Sequence, residues 1–382
     1  MRIVHIVSNF RWTERVEPAA DLALGQQALG HDVCYLCGRN QGETPENIIQ
    51  GRAARKGLVF DDHLELLKHT GIASALRDLP RLRNYLNEFQ PDVIHCHLPN
   101  AHLLAALAIR SSDPKPILVR TLYEPAGPEW PCRYRWGCRP HTDGVIVLRE
   151  SNQLRETGGF SSASGRVATI VPGIDIEEFT GHPEWGPLDA IQIPDDAFVV
   201  GMVTAIGKRR RLDLVFDALA QLAPRYPQLR LMICGRGKIG EFVHKPVREL
   251  GLGDRVILAG YCRNDDLVRA YRTMDALVYP RHGTDQSCRT VREALASGVP
   301  VVATDLGLIR KLIRNGETGF VTEFSGNGLA SGLSKLLDMS PERRQRMREA
   351  AATDAKQRFC RVHQAEKVVA FYQQLQQLRA SA

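Results

Sequence analysis

The sequence predicts an α/β protein with two Rossmann-like, doubly wound parallel-sheet domains. Its 382 residues are enough for two domains that each have a core of their own. Short apolar runs alternate with helical patterns along the chain, and β-branched runs are typical of parallel strands covered on both faces. Residues 280–304 show this alternation most clearly, because a loop, a helix and a buried strand follow one another there.

The composition excludes several classes of protein. Hydrophobic residues make up 43% of the chain and charged residues 24%, which is ordinary for a globular enzyme. No apolar run approaches the roughly 18 residues that indicate a transmembrane helix. The opening MRIVHIVSNF lacks the layout of a secretory signal peptide. We therefore expect a cytoplasmic protein.

The net charge of +7 is distributed unevenly. Residues 1–182 contain 20 Lys and Arg against 21 Asp and Glu, a balance of −1, whereas residues 183–382 contain 30 against 22, a balance of +8. The excess in the second half favours an anionic ligand there. Nucleic acid is not expected as a partner, because the basic residues are scattered and no nucleic-acid-binding module is present.

One arrangement of cysteine and histidine invites a metal. Cys132, Cys138 and His141 follow the spacing C-x5-C-x2-H. This spacing matches no common zinc pattern and a fourth ligand is not evident, so we expect no metal there.

The first half opens with a regular succession of elements. The strand IVHIVS is followed by a loop that contains Thr13, by a helix from about 19 to 29 and by the strand HDVCYLC. Residues 41–61 show no clear period and are expected to form a loop. Arginines on a helix within 62–89 could meet acidic lipid headgroups, although a solvated helix face explains them as well.

The strand PDVIHCH ends in a candidate site residue. Its alternation places His95 and His97 on one face, and His97 falls at the carboxyl end, where open parallel sheets bind ligands. His97 is therefore expected to face a substrate. The alternative is a histidine that merely caps the strand.

Two acids bracket a helix start within residues 280–304: Asp285 before it and Glu293 along it. The free N–H groups and the positive dipole end of a helix start are a natural seat for phosphate. A carboxylate further along the helix could accept hydrogen bonds from a ribose diol. The alternative is an N-cap and a solvated helix face. The N–H groups concerned belong to Ser287, Cys288, Arg289 and Thr290.

A glycine-rich turn follows an apolar strand at residues 235–240. GRGKIG satisfies G-x-G-x-x-G, but a nicotinamide site also needs an acid at the end of the next strand. That strand, VILAG, is followed by Tyr261, so we do not assign a nicotinamide site.

Five segments, which follow one another along the chain as the corresponding segments do in the family, resemble the retaining glycosyltransferases of family 4 (glycosyl transferases group 1), which have the GT-B fold. PRHGTDQSCRTVREALASGVPVVAT is similar to the family's acid-x7-acid segment, whose common form ends in E-A-M-A-x-G-x-P-V-V-A-T. The other segments are TIVPGIDIEEF, LMICGRG, LGLGDRVILAGYCRNDDLVRAY and NGETGFV. The resemblance covers nearly the whole chain and is strongest over residues 165–325.

The resemblance implies two domains that face each other across a cleft. The acceptor-side domain would comprise residues 1–180 and a C-terminal helix at about 365–382. The nucleotide-sugar-binding domain would comprise residues 181–364. Turn residues are dense between 173 and 187, where the boundary is expected.

The resemblance also implies the reaction. A sugar would move, with retention of configuration and without a metal, from a nucleoside diphosphate donor to a hydroxyl of a glycan, a lipid-linked glycan or a small molecule. Weak association with the inner face of a membrane would suit a lipid-linked acceptor. No D-x-D acid pair stands at a suitable strand end, so basic side chains and helix N–H groups would stabilise the leaving diphosphate. Those basic side chains are Lys208, Arg209 and Arg210.

The remaining roles follow from the same resemblance. Asp285 would touch sugar hydroxyls, Glu293 would hold the ribose, and His97 and Thr13 would close the site from the first domain. The nucleoside would lie by Gly235, Arg236 and Gly237, and the base would meet the backbone of Tyr261 and Cys262.

The chain departs from the family pattern at four places. Ala205 stands where the family has arginine, Asp285 where it has glutamate and Arg210 where it has lysine, and residues 11–14 replace the usual Gly-Gly turn. Arg210 keeps the positive charge, but as a planar fork. Two further hypotheses therefore stay open: a catalytically silent GT-B protein that binds a partner, and a sugar-nucleotide epimerase on the same fold.

Overall fold

The computed structural model describes residues 1–13, 16–67, 72–123, 139–148, 164–180, 186, 188, 191–283 and 288–381. The chain divides into two compact units, Met1–Ile174 with Phe359–Ala382, and Asp175–Arg358. It thus leaves the first unit after residue 174 and returns at 359, whereas the sequence predicts these crossings near 180 and 365.

The described residues of the first unit form a seven-stranded parallel sheet in the order β3-β2-β1-β4-β5-β6-β7. The order reverses at β1, which pairs with β2 on one side and β4 on the other. The carboxyl ends of β1 and β4 therefore form a switch point of the kind at which open α/β sheets bind ligands. The strands are β1 (Arg2–Val7), β2 (Asp32–Cys37), β3 (Phe60–Asp61), β4 (Val93–Cys96), β5 (Ile117–Leu122), β6 (Gly144–Val147) and β7 (Val167–Thr169).

Helices cover both faces of this sheet, because the strands β1, β2, β4 and β5 carry buried apolar residues on both sides. On one face the first helix packs against the C-terminal helix, and their alanines and aromatic residues share a core with alternate residues of the strands. The helices among the described residues of the first unit are α1 (Glu17–Ala28), α2 (Ile49–Lys56), α3 (Ile72–Phe89), α4 (Pro99–Ala108) and α13 (Arg361–Ala380).

The prediction that residues 41–61 form a loop is wrong. This segment contains α2 and the short strand β3. The helix has two turns and buries only Ile49 and Ala53, too few positions for a recognisable period. It ends at Gly57, whose φ of 69° is the left-handed conformation that glycine adopts at a helix C-terminus.

The second unit repeats the architecture. Its described residues form a six-stranded parallel sheet in the order β10-β9-β8-β11-β12-β13. The order reverses at β8, so a second switch point lies at the carboxyl ends of β8 and β11. The strands are β8 (Phe198–Val203), β9 (Leu229–Cys234), β10 (Val256–Gly260), β11 (Ala276–Tyr279), β12 (Val301–Thr304) and β13 (Gly319–Thr322).

The core of the second unit lies between its sheet and a layer in which α6 and α11 pack together. The Ser325 hydroxyl caps the start of α11 by accepting a hydrogen bond from the Gly328 N–H at 2.9 Å. The described residues contain no helix with the length and hydropathy needed to cross a membrane. The helices are α5 (Ile176–Thr180), α6 (Leu212–Leu222), α7 (Lys245–Glu249), α8 (Asp265–Thr273), α9 (Arg289–Ala296), α10 (Ile309–Leu312), α11 (Gly326–Leu337) and α12 (Pro341–Phe359).

Candidate functional site

His97 lies directly after β4, at the carboxyl edge of the first sheet, and is 1% exposed. Both of its ring nitrogens are engaged inside the protein. Nδ1 lies 2.7 Å from the Tyr123 hydroxyl, and Nε2 lies 2.8 Å from Nδ1 of His5. A sugar hydroxyl therefore cannot bind either nitrogen of His97 without breaking one of these hydrogen bonds.

The hydrogen bonds of His97 belong to a larger buried network. His5 Nε2 lies 2.7 Å from Oε1 of Gln26, and the Gln26 amide donates to the Tyr372 hydroxyl at 3.3 Å. The Tyr372 hydroxyl lies 2.6 Å from Nδ1 of His95. No sequence pattern indicates this network, because its members come from the elements β1, α1, β4, β5 and α13, or directly follow them, and share no local spacing.

The three histidines of this network are uncharged in the folded protein. Burial lowers the pKa of His5 to about 4. Burial also holds the pKa of His95 and of His97 well below the ordinary value, and the neighbouring histidines and Arg120 lower it further. A buried imidazolium beside the Arg120 guanidinium would be destabilised both by desolvation and by repulsion between like charges.

A metal could in principle bind here, because one ring nitrogen from each of His5, His95 and His97 lies within 4.8 Å of the others. However, every ring nitrogen of the three already has a hydrogen-bond partner on this chain. The arrangement fits a hydrogen-bond network better than a set of free ligands for a metal.

The cysteine and histidine motif lies mostly outside the described residues, which include His141 but neither Cys132 nor Cys138. His141 Nε2 accepts a hydrogen bond from Arg110 at 3.2 Å. Partial burial, Lys115 and Arg110 lower the pKa of His141. The positive surroundings disfavour a cation at this histidine.

Thr13 contacts the residues at the start of α1 through its backbone carbonyl. Its carbonyl accepts hydrogen bonds from Val16 N–H at 2.9 Å and from Glu17 N–H at 3.1 Å. The preceding loop is tied to residues 43–48, because Trp12 N–H donates to Asn47 O at 2.8 Å and Arg11 forms an ion pair with Glu43. This attachment orders the described part of the loop in place of a Gly-Gly turn.

The basic turn predicted at 208–210 is a single 3₁₀ turn, Lys208–Arg210, at the carboxyl edge of the second sheet. Lys208 and Arg209 are exposed and Arg210 is half-buried. Ala205, which stands at the position of the family's arginine, is also exposed. The surface at this turn is therefore positively charged.

Gly235 and Gly237 are needed for a close approach of two loops. Their φ angles are 159° and 152°, and a Cβ atom would lie 1.8 Å from Thr204 O and 2.1 Å from Ile206 O respectively. Backbone hydrogen bonds join the same loops, such as Ile206 N–H to Arg236 O at 2.9 Å. The glycines thus hold the turn after β9 beside the loop that leads to the basic turn.

Tyr261 stands half-exposed after β10, with arginines on its ring. The guanidinium carbons of Arg236 and Arg263 lie 4.5 Å and 4.4 Å from the ring centroid, within the range of cation–π contacts. The next residue, Cys262, interacts with the thiol of Cys234, and this hydrogen bond lowers the pKa of Cys262.

Glu293 lies in α9 and is 4% exposed. Its Oε1 accepts a hydrogen bond from Arg289 Nε at 2.7 Å, and its Oε2 accepts one from the Tyr271 hydroxyl at 2.8 Å. The Tyr271 hydroxyl also lies 3.3 Å from the carbonyl of Thr290. Burial and the Glu293 carboxylate raise the pKa of Tyr271 well above its ordinary value, so the phenol stays a donor.

The structure therefore brings together part of the predicted helix-start site. Arg289 pairs with Glu293, the Thr290 carbonyl lies beside the Tyr271 hydroxyl, and Cys288 is buried at the N-terminal end of α9. Asp285 and Ser287 lie outside the described residues. Tyr271 was missed, since only tertiary contact brings α8 against α9.

Two models of glycosyltransferase families match the chain. Glycosyl transferases group 1 matches residues 188–354, and Glycosyltransferase Family 4 matches residues 19–178. The chain belongs to the glycosyltransferases. These are transferase enzymes, and the two matches fall in the second and the first unit respectively.

Curated relatives carry similar names. The chain is 26% identical to the phosphatidyl-myo-inositol mannosyltransferase of Mycolicibacterium smegmatis, over 81% of this chain and 77% of the relative. It is 29% identical to the D-inositol 3-phosphate glycosyltransferase of Corynebacterium urealyticum, over 53% of this chain and 50% of the relative. The chain thus spans only about half the length of the latter relative.

Solved glycosyltransferase structures share the GT-B fold of this chain. A glycosyltransferase from Rickettsia africae superposes with a TM-score of 0.79 at 15% identity and covers 98% of both chains. HepE of Anabaena, solved in complex with UDP and glucose, superposes with a TM-score of 0.71 at 18% identity and covers 97% of this chain and 98% of its own. At these identities the likeness concerns the fold alone.

Proposed function

We propose that this glycosyltransferase moves a sugar from a nucleoside diphosphate donor to a hydroxyl acceptor, and that the donor binds at the carboxyl edge of the second sheet. The observation that carries the proposal is the buried Glu293 carboxylate, held by Arg289 and Tyr271 at the switch-point side of the sheet. We assign to this carboxylate the recognition of the ribose diol, because carboxylate oxygens accept hydrogen bonds from hydroxyl groups.

The base and the diphosphate have separate seats in this proposal. The base would lie near the backbone of Tyr261 and Cys262, beside the turn of Gly235, Arg236 and Gly237. The diphosphate would lie against the N–H groups at the start of α9, with Asp285 on the sugar hydroxyls. The exposed Lys208 and Arg209 and the half-buried Arg210 would supply positive charge.

The chemical step requires stabilisation of a leaving diphosphate. As the glycosidic bond breaks, negative charge grows on the leaving oxygens, and fixed donors aimed at that charge lower the barrier. We assign this task to Arg210 and the α9 start rather than to a metal, and we assign retention of configuration to the transfer. Transfer in the presence of EDTA tests the metal, and the anomeric configuration of the product tests retention.

Substrates to test first come from the similar proteins. UDP-sugars are the first donors, because HepE of Anabaena was solved with UDP and glucose. Inositol phosphates and phosphatidylinositol are the first acceptors, because the relatives named above act on inositol compounds by name. Glycan and lipid-linked acceptors follow. A thermal-shift screen with UDP, GDP and ADP selects the nucleotide before transfer is assayed.

A catalytically silent binding protein is the second candidate, and Ala205 favours it because a cation of the family pattern is missing there. The exposed site leaves room for an arginine. If transfer is limited by the missing charge, Ala205→Arg should raise kcat several-fold. A chain that binds nucleotide but transfers no sugar, before and after Ala205→Arg, would support the silent protein. Sugar-nucleotide conversion without an acceptor would identify an epimerase.

A further inference from the structure

In the buried network of the first unit, the orientation of one side-chain amide fixes which atom donates in each hydrogen bond. Gln26 donates from Nε2 to Tyr372, so its Oε1 faces His5 as an acceptor. His5 must then carry its proton on Nε2 and offer Nδ1 as an acceptor. Because an uncharged imidazole has one N–H, the state of His5 is fixed.

The direction is passed on to His97 and Tyr123. His97 Nε2 lies 2.8 Å from the acceptor Nδ1 of His5, so it must carry the proton of the His97 ring. His97 Nδ1 is then an acceptor, and the Tyr123 hydroxyl, at 2.7 Å, must donate to it. The only proton of Tyr123 is thereby committed to the interior, and its oxygen is left as an acceptor.

The other branch of the network runs from Gln26 to β5. The Tyr372 hydroxyl accepts from Gln26 and donates to His95 Nδ1 at 2.6 Å. His95 then donates from Nε2 to the Thr121 hydroxyl at 2.7 Å. Tyr372 lies in α13, so the C-terminal helix helps to set the orientation of the Gln26 amide.

We propose that Gln26 and Tyr372 are positioning residues that act through His5 and hold His97 as the uncharged Nε2–H ring, so that Tyr123 meets a ligand at this edge only as a hydrogen-bond acceptor. The ligand class is then a hydroxyl donor such as a sugar or polyol. This identification of the ligand rests on the proposed function, whereas the state of the rings does not.

The surroundings agree with a ligand at this edge. Tyr123 follows β5 and is 8% exposed, more than His97. The hydroxyl of Ser8, which follows β1 at the same edge, is buried and has no hydrogen-bond partner within the described part of the chain. A buried hydroxyl without a partner is costly, which favours a polar ligand there.

An additional proton on the network is disfavoured, because Arg120 and burial both oppose an imidazolium at His95 or His97. The amide of Gln26 also interrupts proton transfer, since it would have to change its bonding to pass a proton on. A role in orientation is therefore favoured over a role as a general base.

Gln26→Glu should exchange donor and acceptor in the hydrogen bonds from His5 to His97 and from His97 to Tyr123, and it therefore tests the proposal. A carboxylate at residue 26 still accepts from His5 but favours a doubly protonated His5, which then donates from Nδ1 to His97 Nε2. His97 must change to the Nδ1–H ring and donate to Tyr123. The matched control is Gln27→Glu, the same substitution at the next position, which is half-buried and outside the network.

The ring states are measured by nitrogen-15 NMR of histidine-labelled protein, with signals assigned through single histidine variants. We expect Nε2–H rings at His5 and His97 in the wild type, an Nδ1–H ring at His97 in Gln26→Glu, and no change in Gln27→Glu. An Nδ1–H His97 in the wild type, or an unchanged His97 in Gln26→Glu, would overturn the proposal.

Kinetics test the effect on the ligand. We expect Gln26→Glu to raise the KM for one substrate about three- to ten-fold, the loss of roughly one hydrogen bond, and Gln27→Glu to leave it unchanged. An altered His97 ring with unchanged kinetics would refute the positioning role. A wild type without transfer would refute the proposed function alone, because the NMR result stands apart from it.

A second pair of variants covers the case in which Gln26→Glu does not fold. Tyr372→Phe removes the hydroxyl that orients the Gln26 amide, whereas Tyr35→Phe removes an equally buried hydroxyl that bonds to Val16 O instead. We expect the nitrogen-15 signals that report the protonated ring nitrogen of His5 and His97 to differ from the wild type in Tyr372→Phe only. If Tyr372→Phe and Tyr35→Phe showed the same protonated nitrogens, the proposal would be contradicted.

Discussion

The carboxylate of Glu293 accepts a hydrogen bond from the Tyr271 hydroxyl at 2.8 Å, although the two residues lie on different helices. The same carboxylate pairs with Arg289 one turn earlier in α9. Glu293 is thus fixed in place before any ligand arrives. A fixed carboxylate loses little conformational entropy when it binds a diol.

Removal of the Glu293 carboxylate should weaken nucleotide binding. We expect Glu293→Ala to raise the Kd of the preferred nucleotide about 10- to 100-fold, since two charge-assisted hydrogen bonds to ribose are lost. Isothermal titration calorimetry measures this. The matched control is Glu249→Ala, an exposed glutamate at the end of α7, which should bind as the wild type does. Equal affinity of Glu293→Ala and wild type would remove the ribose role.

Arg210 should matter more for the chemical step than for binding. We expect Arg210→Ala to lower kcat about 10- to 100-fold, because the leaving diphosphate loses a charge partner, and to change donor Kd by a smaller factor. Steady-state kinetics and calorimetry separate the two effects. Arg248→Ala, an exposed arginine in α7, serves as the control. Equal losses in kcat and in affinity would show that Arg210 acts in binding.

The glycine turn after β9 should not tolerate a side chain. At Gly235 a Cβ would lie 1.8 Å from the Thr204 carbonyl, whereas at Gly240 it would meet nothing within 4 Å. We expect Gly235→Ala to lower the free energy of unfolding by about 2 kcal/mol or more and to weaken nucleotide binding. Urea unfolding and titration calorimetry are the measurements. Gly240→Ala should change neither quantity, and equal behaviour of the two variants would count against a close approach of the loops.

The buried histidines should make the first unit sensitive to acid. Their folded pKa values lie below the ordinary value of about 6.5, so the unfolded chain binds more protons once the pH falls below it. The free energy of unfolding should have its full value above about pH 6.5 and fall by up to about 1.4 kcal/mol per pH unit for each histidine as the pH decreases. For His5 this fall should end near pH 4, where the folded form is also protonated.

Urea unfolding between about pH 7.5 and pH 5 measures this slope. His5→Gln should lower the stability at neutral pH and make the slope shallower, because one group that titrates only after unfolding is gone. His244→Gln replaces an exposed histidine and should keep the wild-type slope. A slope that His5→Gln leaves unchanged would show that His5 is not one of the groups concerned.

The sequence predicts the sheets well, because their strands are apolar on both faces. VPVVAT corresponds to β12 and IVHIVS to β1, with ends that differ by one or two residues. The helix α2 was missed, since two buried residues give no period. Local pattern is therefore informative where an element is long or fully buried, and silent where an element is short.

The candidate site is predicted only in part, for a physical reason. The position of Glu293 follows from a contiguous motif, but its partner Tyr271 comes from another helix. His97 was predicted as a residue at a strand end, yet its pairing with His5 depends on strand order, which the sequence does not show. Contacts that need tertiary structure, such as the network around Gln26, have no local signal.

The central claim is that the second unit binds a nucleoside diphosphate at Glu293. Thermal unfolding of the purified chain and of Glu293→Ala, each with UDP, GDP and ADP, tests it most directly. A ligand at 100 times its Kd adds about 2.7 kcal/mol to the stability of the folded state. We predict that one nucleotide raises the Tm of the wild type at a concentration at which it barely moves the Tm of Glu293→Ala. No shift with any nucleotide, or equal shifts in the two proteins, would contradict the claim.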